Sequence, residues 1–258
     1  MNASTEHLYG LHAVSAALRY QASQVQDLWL ASGGQTNPRL RVLAETAAEL
    51  GIRVHHVARQ ELDRLSDNAR HQGVVARLHS AASAYSEADL PRLLSACTQP
   101  PLLLVLDGIQ DPHNLGACLR TAEAAGVDAV IVPADRAVGL TASVRKVAAG
   151  AAEIIPLITV TNLARTLRQL QEQGIWLMGA AEQASHSVYS TDLSGPVALV
   201  LGAEDKGLRR LTREHCDQLI RIPMAGKIES LNVSVATGVL LFEAVRQRSL
   251  AEQQRKSL

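Results

Sequence analysis

Leu102-Leu103-Leu104-Val105-Leu106 is an unbroken apolar run, and Asp107-Gly108-Ile109-Gln110-Asp111-Pro112 follows it at once. Such a run, closed by polar and turn-forming residues, reads as a strand buried on both faces. C-terminal to it, helix and strand signals alternate. Leu115 to Ala125 reads as a helix, with Asp111 or Asn114 as its cap and Gly126 as its stop. Ala129 to Val132 reads as a strand, Thr141 to Ala149 as a helix and Ile154 to Ile158 as a strand. Asn162 caps a helix with the apolar stripe Leu163, Leu167 and Leu170, stopped by Gly174. Ile175 to Met178, Val197 to Leu201 and Leu219 to Ile222 are further strands. A last helix spans about Leu231 to Arg248, with Val235, Val239 and Phe242 on one face and a frayed end at Gln253-Gln254-Arg255-Lys256. This alternation predicts an α/β fold with a mostly parallel sheet and helices on both faces.

N-terminal to the run, Ser80-Ala81-Ala82-Ser83-Ala84-Tyr85-Ser86, Asp89-Leu90-Pro91 and Gln99-Pro100-Pro101 break both periods. They read as a connector, with a short helix near Pro91 to Ala96. The expected division is a first domain over residues 1–79, a linker over 80–100 and a second domain over 101–258. The first domain reads as a small α/β unit. Leu11, Val14 and Leu18 give one helical face, and Leu40 to Leu50 is a second helix closed by Gly51. Val25 to Leu30, Arg53 to Val57 and Gly73 to Leu78 are its strands, with His55-His56 as a surface pair.

The bulk numbers set outer limits. With 258 residues and 47 % apolar content, the chain can bury a real core and is neither a disordered chain nor a disulfide scaffold. Cys97, Cys118 and Cys216 stand far apart in no CxxC spacing, so neither a disulfide framework nor a zinc site follows. The start, Met1-Asn2-Ala3-Ser4-Thr5-Glu6-His7, lacks the pattern of a signal peptide, and no apolar run reaches membrane-spanning length. A cytoplasmic protein is the expectation. Twenty-five basic residues balance twenty-five acidic ones, which gives no support to bulk nucleic-acid binding. The balance is uneven along the chain, however, with ten basic against seven acidic side chains in residues 200–258.

Three loops stand at predicted strand ends, where open α/β sheets bind ligands. The first runs Asp107 to Thr121 and contains Asn114-Leu115-Gly116 and Arg120. It feeds a helix N-terminus, whose free N–H groups suit an anion. Arg120 sits among Ala117, Leu119, Ala122 and Ala125, a face otherwise made for packing. The second is Leu201-Gly202-Ala203-Glu204-Asp205-Lys206-Gly207-Leu208, whose glycines admit a close ligand. The third is Ile222-Pro223-Met224-Ala225-Gly226-Lys227-Ile228-Glu229-Ser230-Leu231-Asn232-Val233-Ser234, with Ser230 as a candidate cap of the last helix. Each loop alone reads equally well as an ordinary capped turn. GxGxxG, a P-loop, GxSxG and HExxH are all absent, which excludes the commonest dinucleotide, nucleoside triphosphate, hydrolase and zinc-protease signatures.

Together and in this order, the three loops resemble the SpoU group of the SPOUT methyltransferases. The resemblance covers Leu102 to Arg248, and Leu8-Tyr9-Gly10-Leu11-His12-Ala13-Val14 and Arg70-His71-Gln72-Gly73-Val74-Val75-Ala76 extend it to the ribosomal-protein-like RNA-binding domain that precedes many members. Asp111-Pro112-His113-Asn114-Leu115-Gly116-Ala117 and Leu211-Thr212-Arg213-Glu214-His215-Cys216-Asp217 look closest to members that methylate a guanosine ribose of 23S rRNA. The resemblance implies a mostly parallel sheet with a C-terminal trefoil knot, S-adenosyl-L-methionine as cofactor, no metal, and a homodimer with the site near its interface. It implies Asn114, Arg120, Glu204, Ser230 and Asn232 as the catalytic set, and Gly202, Ile222, Met224, Ser230 and Leu231 around the cofactor. Arg120 would act as general base or, with guanidinium pKa values above about 12, as an electrostatic stabiliser. Lys227-Ile228-Glu229 stand before Ser230 where the resemblance leads one to expect smaller residues, and Asp205-Lys206 make the second loop more charged, which bears on substrate choice more than on chemistry. The readings that follow are methylation of 23S rRNA, the same chemistry on tRNA, or an inactive RNA-binding member. The first domain favours rRNA, because the tRNA enzymes of the family usually carry short extensions instead.

Overall fold

A computed structural model describes residues 5–33, 37–79, 85–203 and 206–256. They form two compact units, residues 1–82 with 140–154, and residues 83–139 with 155–258.

The first unit contains β1 (Thr5–Tyr9), α1 (Leu11–Tyr20), β2 (Val25–Ala31), α2 (Pro38–Glu49), β3 (Arg53–Val57), α3 (Arg59–Leu65) and β4 (Val74–His79). The sheet order is β1-β4-β2-β3, antiparallel except for β2 with β3. Both anticipated helices form, α2 starting at Pro38 rather than at Leu40. Asn37 caps α2 by accepting from Arg39 N at 3.0 Å, Pro38 sits at N1, and Gly51 ends it at φ +70°. Val14 and Leu18 of α1 bury against Leu28, Leu30 and Val74, while Leu11 is only half-buried. β1 and α3 have no counterpart in the sequence reading. His55 is not a plain surface residue either, since its Nε2 meets buried Asp27 at 2.8 Å and its ring stacks on Trp29.

Residues 140–154 join this first unit. They form α6 (Ala142–Ala148) and a 3-10 turn at Ala151–Glu153. Arg145 Nη1 donates to both Glu153 oxygens at 2.6 Å, with both side chains buried. Gln21 Nε2 donates to Glu153 O at 3.0 Å. A Cβ on Gly150 would stand 2.7 Å from Ala16 Cβ and 3.2 Å from His12 O, so α1 requires glycine there. The expected strand from Ile154 therefore starts only at Leu157, once this turn is complete.

The second unit is an all-parallel eight-stranded sheet. Its strands are β5 (Tyr85–Ser86), β6 (Leu102–Asp107), β7 (Ala129–Pro133), β8 (Leu157–Val160), β9 (Trp176–Ala180), β10 (His186–Ser187), β11 (Val197–Gly202) and β12 (Gln218–Arg221), in the order β10-β12-β9-β11-β6-β7-β8-β5. β6, β7 and most of β11 are buried throughout, as the apolar runs require. Leu103, Val105, Ile131, Ala198 and Val200 pack with Leu163, Leu167 and Leu170 of α7 (Leu163–Glu172). Alternation sends Leu102, Leu104 and Leu106 to the other face, where α9 (Val233–Lys256) packs on β11 and on α5 (Pro112–Ala124). α8 (Arg210–His215) packs on α7.

Part of the expected connector is built into this unit. β5 pairs with β8, Ser86 and Asp89 form a capping box, and Leu90 of α4 (Leu90–Ser95) is buried in the core. Ser80 to Ala84, the small-residue stretch of that connector, lie outside the described residues, as do Met1 to Ser4. The last helix differs at both ends. It starts at Val233 and stays helical through Gln253-Gln254-Arg255-Lys256, which were expected to fray.

Candidate active site

The sheet order reverses at β6 and β11. From β6 the chain winds outward through β7 and β8, then returns to build β9, β11 and β12 on the other side. Crevices at the carboxyl ends of strands at such a switch point are where open α/β sheets bind ligands. Asp107 and Gly202 are register partners at that end. The first two loops therefore leave the sheet side by side.

Local chemistry fixes the first two loops. After β6, Gly108 turns at φ +88° and Ile109 O accepts from Val138 N at 2.9 Å. Asp111, not Asn114, caps α5, accepting from His113 N at 2.9 Å. Asn114 makes a longer reach instead. Its Oδ1 accepts from Asn232 Nδ2 at 3.1 Å, joining the N-termini of α5 and α9. Asn232, rather than Ser230, caps α9. Its Oδ1 accepts from Ser234 N at 2.9 Å and from Ser234 Oγ at 2.6 Å. Cys118 Sγ lies 3.4 Å from Thr237 Oγ1, so α5 and α9 stay in contact for a further turn.

The second loop folds back on its own strand. Gly207 N donates to Ala203 O at 2.8 Å, and Gly207 adopts φ +60°. A Cβ on Gly202 would stand 2.0 Å from Gly207 C, so only glycine permits this return. The loop is then fastened to β6. Fully buried Asp107 accepts from Arg209 N at 3.1 Å and from the Arg209 guanidinium. The sequence reading gave neither residue a role. An acid closing an otherwise apolar buried strand was the available signal, because such a charge needs a cation. Burial and the nearby Asp217 and Asp107 push the Cys216 thiol up to about 12.

The third loop is open. Residues 222–232 carry no regular structure, and residues 223–231 make no hydrogen bond with other described residues. Met224 and Ile228 are exposed, and Ile222 and Leu231 half-buried. Ser230 is exposed. Glu204 and Asp205 lie outside the described residues.

One expectation needs correction. Arg120 does not lie in the packed face of α5 but is exposed. Asn114, Cys118 and Thr121 meet α9, and at about 3.6 residues per turn Arg120 points roughly 120° away from Asn114. The Val235, Val239 and Phe242 face of α9, which periodicity groups correctly, is only partly covered, with Val239 half-buried. Val235 and Phe242 are about half exposed, while Val233, Thr237, Leu240, Leu241 and Ala244 carry the packing. Among the described residues, no three His, Cys, Asp or Glu side chains converge as a metal site. None of the helices is long and apolar enough to cross a membrane.

Residues 101–242 match the SpoU rRNA Methylase family, and residues 7–84 match the RNA 2'-O ribose methyltransferase substrate binding domain. The chain belongs to the SpoU rRNA methylase family. It is 57 % identical over 247 residues to the 23S rRNA (guanosine-2'-O-)-methyltransferase RlmB of Pseudomonas aeruginosa, covering 96 % of this chain and 98 % of that one. It is 54 % identical over 245 residues to RlmB of Escherichia coli, covering 95 % and 100 %. Among solved structures, the SpoU methyltransferase AviRb of Streptomyces viridochromogenes, in complex with AdoMet, is similar at a TM-score of 0.79 with 26 % identity, covering 94 % and 89 %. The TrmH/SpoU tRNA modifying enzyme of A. aeolicus is similar at a TM-score of 0.55 with 30 % identity, covering 64 % of this chain and 85 % of that one. The SpoU family thus supplies the α/β fold and the N-terminal substrate-binding domain that the motifs implied.

Proposed function

We propose that the chain transfers the methyl group of S-adenosyl-L-methionine to a guanosine ribose 2′-hydroxyl of 23S rRNA, as a cytoplasmic homodimer. The observation that carries this reading is the Asn232–Asn114 contact at the sheet's switch point, which draws the first and third loops to one place. Near-full-length relatives that act on 23S rRNA support the substrate. In this reading residues 1–79 bind RNA, residues 80–100 join the domains, and residues 101–258 carry the chemistry and a trefoil knot.

The residues present fit the cofactor. An adenine needs an apolar slot and backbone groups to read its edge. Ile222, Met224 and Leu231 offer the apolar surface, and the unengaged N–H and C=O groups of 223–231 offer the hydrogen bonds. Gly202 and Ser230 complete the set. Bound there, S-adenosyl-L-methionine supplies a methyl group on a sulfonium sulfur. Arg120 holds the phosphate beside the target ribose and stabilises the negative charge that develops on O2′ as the hydroxyl proton leaves to solvent water. That role asks for no deprotonated guanidinium. Asn114 and Asn232 orient Arg120 and the ribose, Glu204 positions Arg120 or the knot loops, and Ser230 completes the catalytic set. The exposure of Arg120 and of the Val235 and Phe242 stripe fits a site near a contact between two copies.

The test uses methyl-labelled cofactor with unmodified 23S rRNA or unmodified tRNA. Label on a guanosine 2′-oxygen of 23S rRNA is expected. Label in tRNA alone would overturn the substrate, and label in neither RNA would point to an inactive RNA-binding member.

A further inference from the structure

The first unit holds an open cleft of about 270 Å³ that the methyl-transfer chemistry does not use. Tyr9, His12, Arg70, Gln72, Lys146 and Ala149 line it. Its charged lining is basic, with Arg70 and Lys146 both exposed and no carboxylate among the lining residues. In a chain of zero net charge, such a one-sided lining marks a place for an anion. The cleft also has an aromatic wall, since Lys146 Nζ sits 5.7 Å from the Tyr9 ring centroid. Burial and Asp67 push the Tyr9 phenol up, so it stays neutral and able to donate beside an anion. Gln72 Oε1 accepts from Leu11 N at 3.2 Å and steadies the mouth.

The origin of the lining is informative. Tyr9, His12, Arg70 and Gln72 lie within the substrate-binding match, residues 7–84. Lys146 and Ala149 lie within the methylase match, residues 101–242, yet they fold with the first unit. The buried Arg145–Glu153 pair and the tight approach of α1 to Gly150 hold α6 there. A fixed cation beside an aromatic ring, with a second cation in the same small cleft, suits a phosphodiester with its base stacked nearby.

We propose that this cleft binds one nucleotide of a single-stranded or looped segment of the substrate RNA, its phosphodiester between Lys146 and Arg70 and its base against Tyr9. The proposal rests on the reading of the chain as an RNA methyltransferase. It extends RNA recognition beyond residues 7–84 to α6.

The test measures filter binding of full-length unmodified 23S rRNA to the full chain, between about 50 and 200 mM KCl. Both cations are exposed, so removing them leaves the fold intact. In the Lys146→Ala, Arg70→Ala double variant, affinity is expected to fall about tenfold, the low end for lost charge-assisted contacts. The slope of log K against log salt is expected to shrink by about 0.7 to 1. Lys146→Arg should retain both. Binding of S-adenosyl-L-methionine, followed by calorimetry, should be unchanged throughout. A double variant with wild-type affinity and slope overturns the cleft assignment alone. A wild-type chain that binds cofactor but not RNA overturns the functional reading, and the cleft with it.

Discussion

Asn232 Nδ2 donates to Asn114 Oδ1 across 3.1 Å, while Asn232 Oδ1 accepts from Ser234 N and Oγ. One amide thus does two jobs with its two ends. Asn232→Asp keeps the accepting cap and loses the donor toward Asn114. Asn232→Ala loses both. Thermal unfolding should find the Asp variant near wild type and the Ala variant destabilised by about 1 kcal/mol, the usual cost of a lost cap. Methyl transfer should fall in both. Equal destabilisation of the two would mean that the capping role is misassigned.

Asp107 is fully buried at the end of β6 and is neutralised by Arg209, 102 residues later. Removing the cation strands a carboxylate away from water. Arg209→Ala should therefore cost about 3 kcal/mol, the lower end for breaking a buried pair, because the guanidinium itself reaches solvent. Asp107→Asn leaves no buried charge and should cost less. Urea unfolding of the two variants checks the order, and the reverse order would sink the argument.

The sheet was legible because its strands are near-continuous apolar runs, and two helix starts because Asn162 and Asp111 accept from backbone N–H groups, whereas the Asn37 cap of α2 went unread. What stayed hidden depends on distant partners. Periodicity grouped Val235, Val239 and Phe242 on one face of α9 but could not tell whether this chain covers that face. Composition placed Arg120 among alanines, yet α9 packs on Asn114, Cys118 and Thr121 and leaves Arg120 outside. Nothing local shows that residues 140–154 fold with a domain that ends sixty residues earlier, because Gly150 and Arg145 find their partners only in the assembled unit. β5 and β10 are two residues each, too short for any alternation to register.

The uncovered face of α9 gives a direct test of self-association. Phe242 and Val235 stand two turns apart, each about half exposed. A charge at Phe242 would be stranded in any contact between two copies but solvated in a monomer. Phe242→Glu should shift the mass measured by light scattering from dimer to monomer, with the melting temperature little changed at concentrations where both are monomeric. A wild-type chain that is already monomeric at micromolar concentration would contradict the proposed homodimer.

Asp27 makes the first unit acid-sensitive. Burial alone would raise its pKa, but hydrogen bonds from His55 and Arg77, with the charges of Arg77 and Arg53, outweigh it and hold the carboxyl below its ordinary 3.8. Between the folded value and 3.8 the unfolded chain binds the extra proton, so acid favours unfolding. This contribution is fully present above about pH 4 and is lost as pH falls through the folded value. Trp29, stacked on His55, reports on the cluster, and a Trp176→Phe background silences the other indole. Asp27→Asn should lower stability at neutral pH and flatten the acid limb of its pH dependence. An acid limb as steep as the wild type's would exclude Asp27 as its source.

The role proposed for Arg120 would separate cofactor binding from chemistry. Its side chain is exposed on α5, outside the Asn114–Asn232 hydrogen bond, so its loss leaves the α5–α9 contact in place. Arg120→Ala should abolish transfer to 23S rRNA while calorimetry finds S-adenosyl-L-methionine binding near normal. Arg120→Lys keeps the charge but not the planar fork that matches a phosphate bidentately, so it should recover only part of the rate. If Arg120 stabilises charge rather than accepting the proton, the residual rate of Arg120→Lys should not rise steeply as pH approaches about 10, the range where a lysine amine deprotonates. A steep rise there would favour the general-base role, and full activity in Arg120→Ala would remove the residue from the site.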